Sequence, residues 1–419
     1  MRPALGVTEP GAIALAVSTA REHIDGDIRH IELRLNSGMY KNAFTCGIPG
    51  TDALGNSYAA ALGAVAADPK KGLECLDGIT AEQYRAAKHL VDEGKITVRM
   101  QEIGSDIRIE AVVATDRGTA GAVIQGSHTN FVQITKNDQV VWQKKPETKT
   151  ARSDEALIHC YSLEELYEYA RTVPLEELLF IRQAFSMNYA LFLAGMESEK
   201  TRFLPYLLWQ NGGAILSDDE QKTASLLCNG AIEARVLGLA RPAMSITGSG
   251  AHGIIAVMPL YAAYKVRGYT EEALLRATAL SYLVCMYIKE YSGKLSAFCG
   301  CAIAAGTGMA CGLAMLRGGD AAVMDRVIRN MAGSITGMIC DGGNQGCTMK
   351  GVVAVDAAWQ SAGMAMAGTA IDSIHGIAGD SPEETMRNMG RIASPGMVET
   401  EKTILDILEE KRQKEERRE

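Results

Sequence analysis

Two periodicities divide this chain. Residues 28–35 alternate, with Ile31, Leu33 and Leu35 opposing His30, Glu32 and Arg34, as in a strand buried on one face. Further short strands are predicted over 96–101, 107–115, 120–125, 131–135 and 139–143, and Asn137-Asp138 supplies a hairpin turn between the last two. Helices accompany them. The first opens at Thr8-Glu9-Pro10, where Thr8 can cap and Pro10 is tolerated in the first turn, and it runs to about residue 24. An alanine-rich helix is predicted over 56–67 and another over 81–93, ahead of Gly94. From residue 163 the pattern is helical: 163–170, 175–194, 221–239, 271–289, 296–316, 321–339 and 352–367. Ile404, Leu405, Ile407 and Leu408 give 399–419 an amphipathic character, and it ends in a solvated charge run.

These elements predict an α+β protein. A mixed α/β domain, residues 1–150, packs on a larger all-helical domain, residues 151–419. The polar stretch 143–154, with Pro146, is the expected linker. No repeat of fixed period occurs.

Composition narrows the classes. Hydrophobic residues make up 47% of 419, so the chain can build a sizeable core. The net charge is −8 and no basic stripe stands out, which argues against a nucleic-acid partner. Two stretches, 242–264 and 295–316, carry no Asp, Glu, Lys or Arg. Their Gly, Ala, Ser, Thr and Cys content reads as buried helical core rather than membrane span. The apolar run after Arg2 is short and follows Glu9 and Pro10, a poor match to an export signal. A cytoplasmic location is expected, with the ten cysteines as thiols rather than disulfides.

Six of those cysteines, at 46, 75, 160, 228, 285 and 311, stand singly and read as small buried hydrophobes. The other four cluster. Cys299-Gly300-Cys301 ends one segment, and Cys340-Asp341-Gly342-Gly343-Asn344-Gln345-Gly346-Cys347 forms another. Glycines there let backbone N–H groups approach an anionic ligand. The spacing does not match paired zinc-ligand units. It leaves open both a metal or iron–sulfur site and thiols buried for packing.

Three other stretches carry candidate chemistry. Gly126-Ser127-His128-Thr129-Asn130 lies between two predicted strands and could bind a carboxylate or position a base; an exposed polar turn is the plainer reading. Thr247-Gly248-Ser249-Gly250-Ala251-His252-Gly253 could form a backbone nest for a small anion or simply a helix–helix elbow, and it lacks the phosphate-loop pattern. Glu9, at a helix start, and Lys41-Asn42, after the first strand, are otherwise unremarkable.

Together these segments resemble the L-cysteine desulfidase family, part of the larger group containing the alpha region of iron–sulfur L-serine dehydratases. The similarity runs through residues 3–10, Lys41-Asn42, Gly47-Ile48-Pro49-Gly50-Thr51, residues 126–130, Gly248-Ser249-Gly250, residues 295–299 and Gly337 to Gly342 followed by Cys347. It implies a [4Fe–4S] cluster, no pyridoxal phosphate, and conversion of L-cysteine to pyruvate, ammonia and sulfide. It implies Cys299, Cys340 and Cys347 as cluster ligands, with Cys301 the rival for the first place. His128 and Glu9 become candidate catalytic groups, and Lys41, Asn42, Thr129, Asn130, Ser249 and Gly250 candidate substrate contacts. Three ligands would leave one iron open to stabilise a departing group as a Lewis acid.

The chain departs from the family at one telling place. The family has Gly-Cys before Thr-Glu-Pro, and this chain has Gly6-Val7. Valine neither ligates iron nor carries a proton. Two alternatives therefore stand beside the desulfidase expectation: an L-serine dehydratase, or a relative that keeps the fold without catalysis. The active site is expected between the two domains, and a homodimer is compatible with the small-residue helices.

Overall fold

The computed structural model describes residues 1–145 and 156–416. The predicted linker falls largely on 146–155, outside the described residues, as does the end of the charged tail. The strands are β1 (Arg2–Leu5), β2 (Ile28–Asn36), β3 (Ile96–Glu102), β4 (Arg108–Thr115), β5 (Gly118–Gln125), β6 (Phe131–Lys136), β7 (Gln139–Gln143) and β8 (Pro242–Ser245). The first four helices are α1 (Thr8–Arg21), α2 (Ser37–Asn42), α3 (Gly55–Val65) and α4 (Ala81–Asp92). Then follow α5 (Leu163–Thr172), α6 (Arg182–Glu197), α7 (Leu204–Gln210), α8 (Glu220–Val236), α9 (Gly250–Ile255) and α10 (Met258–Arg267). The last are α11 (Glu271–Ser292), α12 (Gly306–Leu316), α13 (Ala321–Ile335), α14 (Gly346–Met366), α15 (Pro382–Ala393) and α16 (Val398–Glu416).

The fold is α+β, as the periodicities predict. Six strands form one sheet in the order β3-β2-β4-β5-β6-β7, with β2 and β3 parallel and the other pairs antiparallel. The alternation in β2 is realised: Ile31, Leu33 and Leu35 are fully buried. At the β6–β7 hairpin, Asn137 and Asp138 both take positive φ, 47° and 62°, as a two-residue turn of this hand requires. Helix α1 packs against β4, β5 and α3, and from Thr8 to Ala20 every one of its residues is buried.

In the helical region α8 is central. From Thr223 to Val236 it has no exposed face, and it packs against α6, α7, α10 and α14. A helix buried all round belongs to the middle of a core. The carboxylate of Glu233 accepts the N–H groups of Arg202, Phe203 and Leu204 at 2.6, 3.0 and 2.8 Å, which caps the start of α7.

Three features differ from the sequence expectations. Residues 296–316 are not one helix: Phe298 pairs with Ile339 in a short antiparallel bridge, a π-helical turn spans Cys301–Ala305, and only then does α12 begin. Helix α13 stops at Ile335, whereas α14 starts early, so Cys347 lies in its first turn. Strand β1, at the very start of the chain, pairs antiparallel with β8 of the helical region. This pairing brings the first turn of α1 beside the loop leading into α9. Among the described residues no helix is long and apolar enough to cross a membrane.

Candidate functional site

Backbone pairing builds the centre of the site. The Cys299 N–H donates to the Met338 carbonyl at 3.1 Å, and the Cys340 N–H donates to that of Ala297 at 2.6 Å. These two bonds lock the cysteine segments side by side. The glycine loop then folds against α2: Gly343 N–H donates to the Asn42 carbonyl at 3.1 Å. A Cβ at Gly342, where φ is +112°, would stand 2.6 Å from the Lys41 carbonyl, and one at Gly343 would stand 2.8 Å from that of Asn42. Only glycine allows so close an approach.

The result is a recess lined by Cys299, Cys301, Cys340 and Cys347, with Val7, Glu9, Asn42, Arg235, Ser249 and Lys350 among the other walls. Burial, reinforced by the neighbouring sulfurs of Cys340 and Cys347, pushes the Cys299 thiol up to about 12. Burial also raises Cys347, and it holds Cys301 well above the ordinary thiol range. Val7 forms part of the wall and packs against Gly343, so the position that carries cysteine in the resembling family faces the thiols here as an apolar surface.

A second recess shares Glu9, Asn42, Ser249, Cys301 and Cys340 with the first and adds His128, Ser127, His252 and Lys289. Glu9 is buried in the first turn of α1. Asn42 Nδ2 donates to its Oε1 at 2.9 Å, and His128 Nε2 stands 3.8 Å from the same oxygen. Burial alone would raise the Glu9 pKa, but His128, Asn42 and the charge of Arg235 outweigh it and bring it to about 2. Glu9 is therefore an ionised carboxylate inside the protein. His128 is buried, and its Nε2 has no hydrogen-bond partner among the described residues.

Three cations surround the thiols, and sequence reasoning singled out none of them. Arg235, on the last turn of α8, is 4% exposed. Lys350, on α14, is paired with Asp341; burial opposes its charge, but Asp341 and the sulfurs of Cys347 and Cys299 raise its pKa. Lys289, near the end of α11, donates to the carbonyls of Gly293 at 2.8 Å and Lys294 at 3.4 Å. Burial lowers its pKa, with nearby sulfurs pulling the other way. His252, hydrogen-bonded to Thr247, is held well below its usual value by burial and by the charges of Lys289 and Arg235. The available signal for Arg235 was its place, with Glu233, at the end of the run 224–234, which is otherwise mostly apolar or small.

Other sequence candidates are placed elsewhere. Lys41 lines neither recess: its ammonium is fully buried, donates to the carbonyls of Cys340 at 2.8 Å and Ser296 at 3.2 Å, and pairs with Glu401 of α16 at 2.5 Å. Thr129 receives Arg2 at 3.4 Å. Asn130 turns back on its own loop, donating to the Gln125 carbonyl at 2.8 Å and accepting from Lys144. Ser249 lines both recesses, with its hydroxyl 3.9 Å from the Cys301 sulfur, and Gly250 underlies Arg235.

The donors lining the recess are of the type that iron–sulfur clusters take, as thiolates. Here four thiols line one recess, although among the described residues no group of three or more His, Cys, Asp or Glu side chains is arranged to hold a metal ion. Raised thiol pKa values mean that metal must displace protons on binding.

The sequence pattern of the serine dehydratase alpha chain family matches residues 70–406. The chain belongs to that family. The match takes in all four clustered cysteines together with His128, Arg235, Ser249 and Lys289. Among relatives, a UPF0597 protein of Clostridium botulinum strain Langeland is 42% identical over 414 residues, covering 97% of this chain and 96% of the relative. UPF0597 proteins of Alkaliphilus oremlandii and Bacteroides fragilis are 34% and 35% identical, each with at least 95% of both chains covered. Membership in the serine dehydratase alpha chain family supports a lyase-like enzyme as the broad class.

Proposed function

We propose that this protein is an iron–sulfur-dependent amino-acid lyase that eliminates sulfide from L-cysteine, leaving pyruvate and ammonia. The observation that carries the reading is the convergence of Cys299, Cys301, Cys340 and Cys347 on one recess, next to a buried, ionised Glu9 facing His128. Cys299, Cys340 and Cys347 would hold a [4Fe–4S] cluster, which supplies a Lewis-acidic iron for the departing sulfur.

The chain's own residues supply the proton chemistry. His128 takes the Cα proton, the released electron pair forms the Cα–Cβ double bond, and the Cβ–S bond breaks to release sulfide. The enamine product tautomerises and is hydrolysed to pyruvate and ammonia. Glu9, already anionic, stabilises the imidazolium as it forms, and Asn42 fixes the carboxylate. Ser249, which lines both recesses, would hydrogen-bond the substrate.

Anaerobic purification with iron and acid-labile sulfide analysis, followed by a sulfide-release assay, tests the proposal. Iron and sulfide should be present, and His128→Asn should lower kcat by about 10²–10⁴-fold without changing the iron content. A folded protein that takes up no iron on anaerobic reconstitution overturns it. The family match favours a second reading, dehydration of L-serine by the same site, with hydroxide leaving instead of sulfide. Pyruvate formation from the two amino acids separates these readings, and inactivity of the loaded protein on both points to a non-catalytic relative.

A further inference from the structure

Buried charges in a folded protein are normally paired or fully hydrogen-bonded, because desolvation otherwise costs several kcal/mol. Arg235 departs from that rule. Its Nη2 reaches Thr8 Oγ1 at 3.4 Å, and its Nε, fully buried, has no hydrogen-bond partner among the described residues. It forms no ion pair with any of them. Glu9 feels its charge, yet the hydrogen bond and close approach to Glu9 come from Asn42 and His128.

The surroundings are arranged to admit the guanidinium. A Cβ at position 250 would stand 2.6 Å from Arg235 Nε, so Gly250 makes room for it. The group lines the same recess as the four thiols and Ser249. A guanidinium presents a planar fork of donors that matches a carboxylate two bonds at a time. A buried guanidinium with donors to spare, on the wall of a thiol-lined recess, is built for an anion that arrives with the ligand.

We propose that Arg235 anchors the α-carboxylate of the substrate, which assigns the thiol-lined face to the side chain that leaves. The assignment rests on the amino-acid lyase reading and deepens it. The substrate class becomes a small α-amino acid with a free carboxylate, and the leaving atom on Cβ points away from Arg235. Amines and esters that lack the carboxylate should be excluded. A structural alternative is that Arg235 balances the charge of an anionic cluster, and that alternative predicts a different outcome.

The test uses the full chain, as wild type, Arg235→Gln and Arg235→Lys, in metal-free and anaerobically reconstituted forms. The probes are 3-mercaptopropionate, which has thiol and carboxylate, and cysteamine, which lacks the carboxylate. Binding is read by calorimetry, iron by direct analysis, and folding by circular dichroism. Wild type should prefer 3-mercaptopropionate, also in the metal-free form. Arg235→Gln should weaken that probe by about 10–100-fold with cysteamine and iron content unchanged. Arg235→Lys, which keeps the buried charge, should fall between. In steady state, KM for L-cysteine should rise more than kcat falls. The proposal is overturned by an unchanged carboxylate preference in Arg235→Gln, by metal-free wild type without such a preference, or by iron loss without loss of preference, which would assign Arg235 to the cluster. If the protein binds no iron, the lyase reading fails, while the carboxylate preference of the metal-free protein still decides the role of Arg235.

Discussion

Two buried cations near the cysteine segments behave differently. Lys41 is saturated: two carbonyls and the Glu401 carboxylate take up its ammonium, and no face of it meets a recess. Arg235 is as deeply buried but has one long hydrogen bond and an orphaned Nε. Sequence and burial alone do not separate them. What does is the extent to which the protein satisfies each charge by itself. A saturated cation holds structure together, and an unsatisfied one that faces a cavity waits for a ligand.

That contrast is open to measurement. The largest effect is expected at the saturated site: Lys41→Met leaves Glu401 buried without its partner and should cost about 3–5 kcal/mol in urea unfolding. Replacing Lys41 and Glu401 together by apolar residues should recover much of that loss, and a double variant no more stable than Lys41→Met would show that the carbonyl contacts matter more than the ion pair.

Next comes the acid limb of stability. The folded pKa of Glu9 is about 2, below the ordinary 4.5, so its contribution is complete above pH 4.5 and is lost as pH falls toward 2. The difference is on the order of 3 kcal/mol. Glu9→Gln should remove that part of the pH dependence, and an unchanged acid limb would mean that Glu9 titrates in the fold as it does in the unfolded chain.

Arg235→Leu should move stability by about 1 kcal/mol or less, because relief of the buried charge is offset by the lost attraction to Glu9 and the lost packing of the arginine stem. A loss as large as that of Lys41→Met would erase the distinction between the two sites. At the small end, the exposed Lys200–Asp52 pair offers a control, since Asp52→Asn should leave the unfolding midpoint where it was.

The sheet was readable because period-two alternation and the Asn137-Asp138 turn are local signals. The break inside 296–316 was not. A charge-free run of Ala, Gly, Ser and Cys fits a buried helix and a buried extended segment equally, and the choice is made by Ile339, distant in sequence. The β1–β8 pairing depends on a similarly remote partner. The four cysteines were legible as a cluster, and their convergence follows from the Phe298–Ile339 bridge. Lys41 and Asn42 looked like one motif, yet neighbouring helical residues point in different directions. Asn42 therefore reaches Glu9 while Lys41 turns toward α16. Arg235 escaped notice because charged residues in a helix, here Glu220, Lys222, Glu233 and Arg235, read as surface positions until the helix proves to be enclosed.

The Lys41–Glu401 contact also ties distant parts of the chain into one mechanical circuit. Lys41 grips the backbone of Cys340 from α2, and α16 grips Lys41. Whatever pulls α16 away, such as proteolytic nicking after α15 or a bulky fusion on the terminal helix, would slacken the ring of sulfurs without touching any residue that lines it.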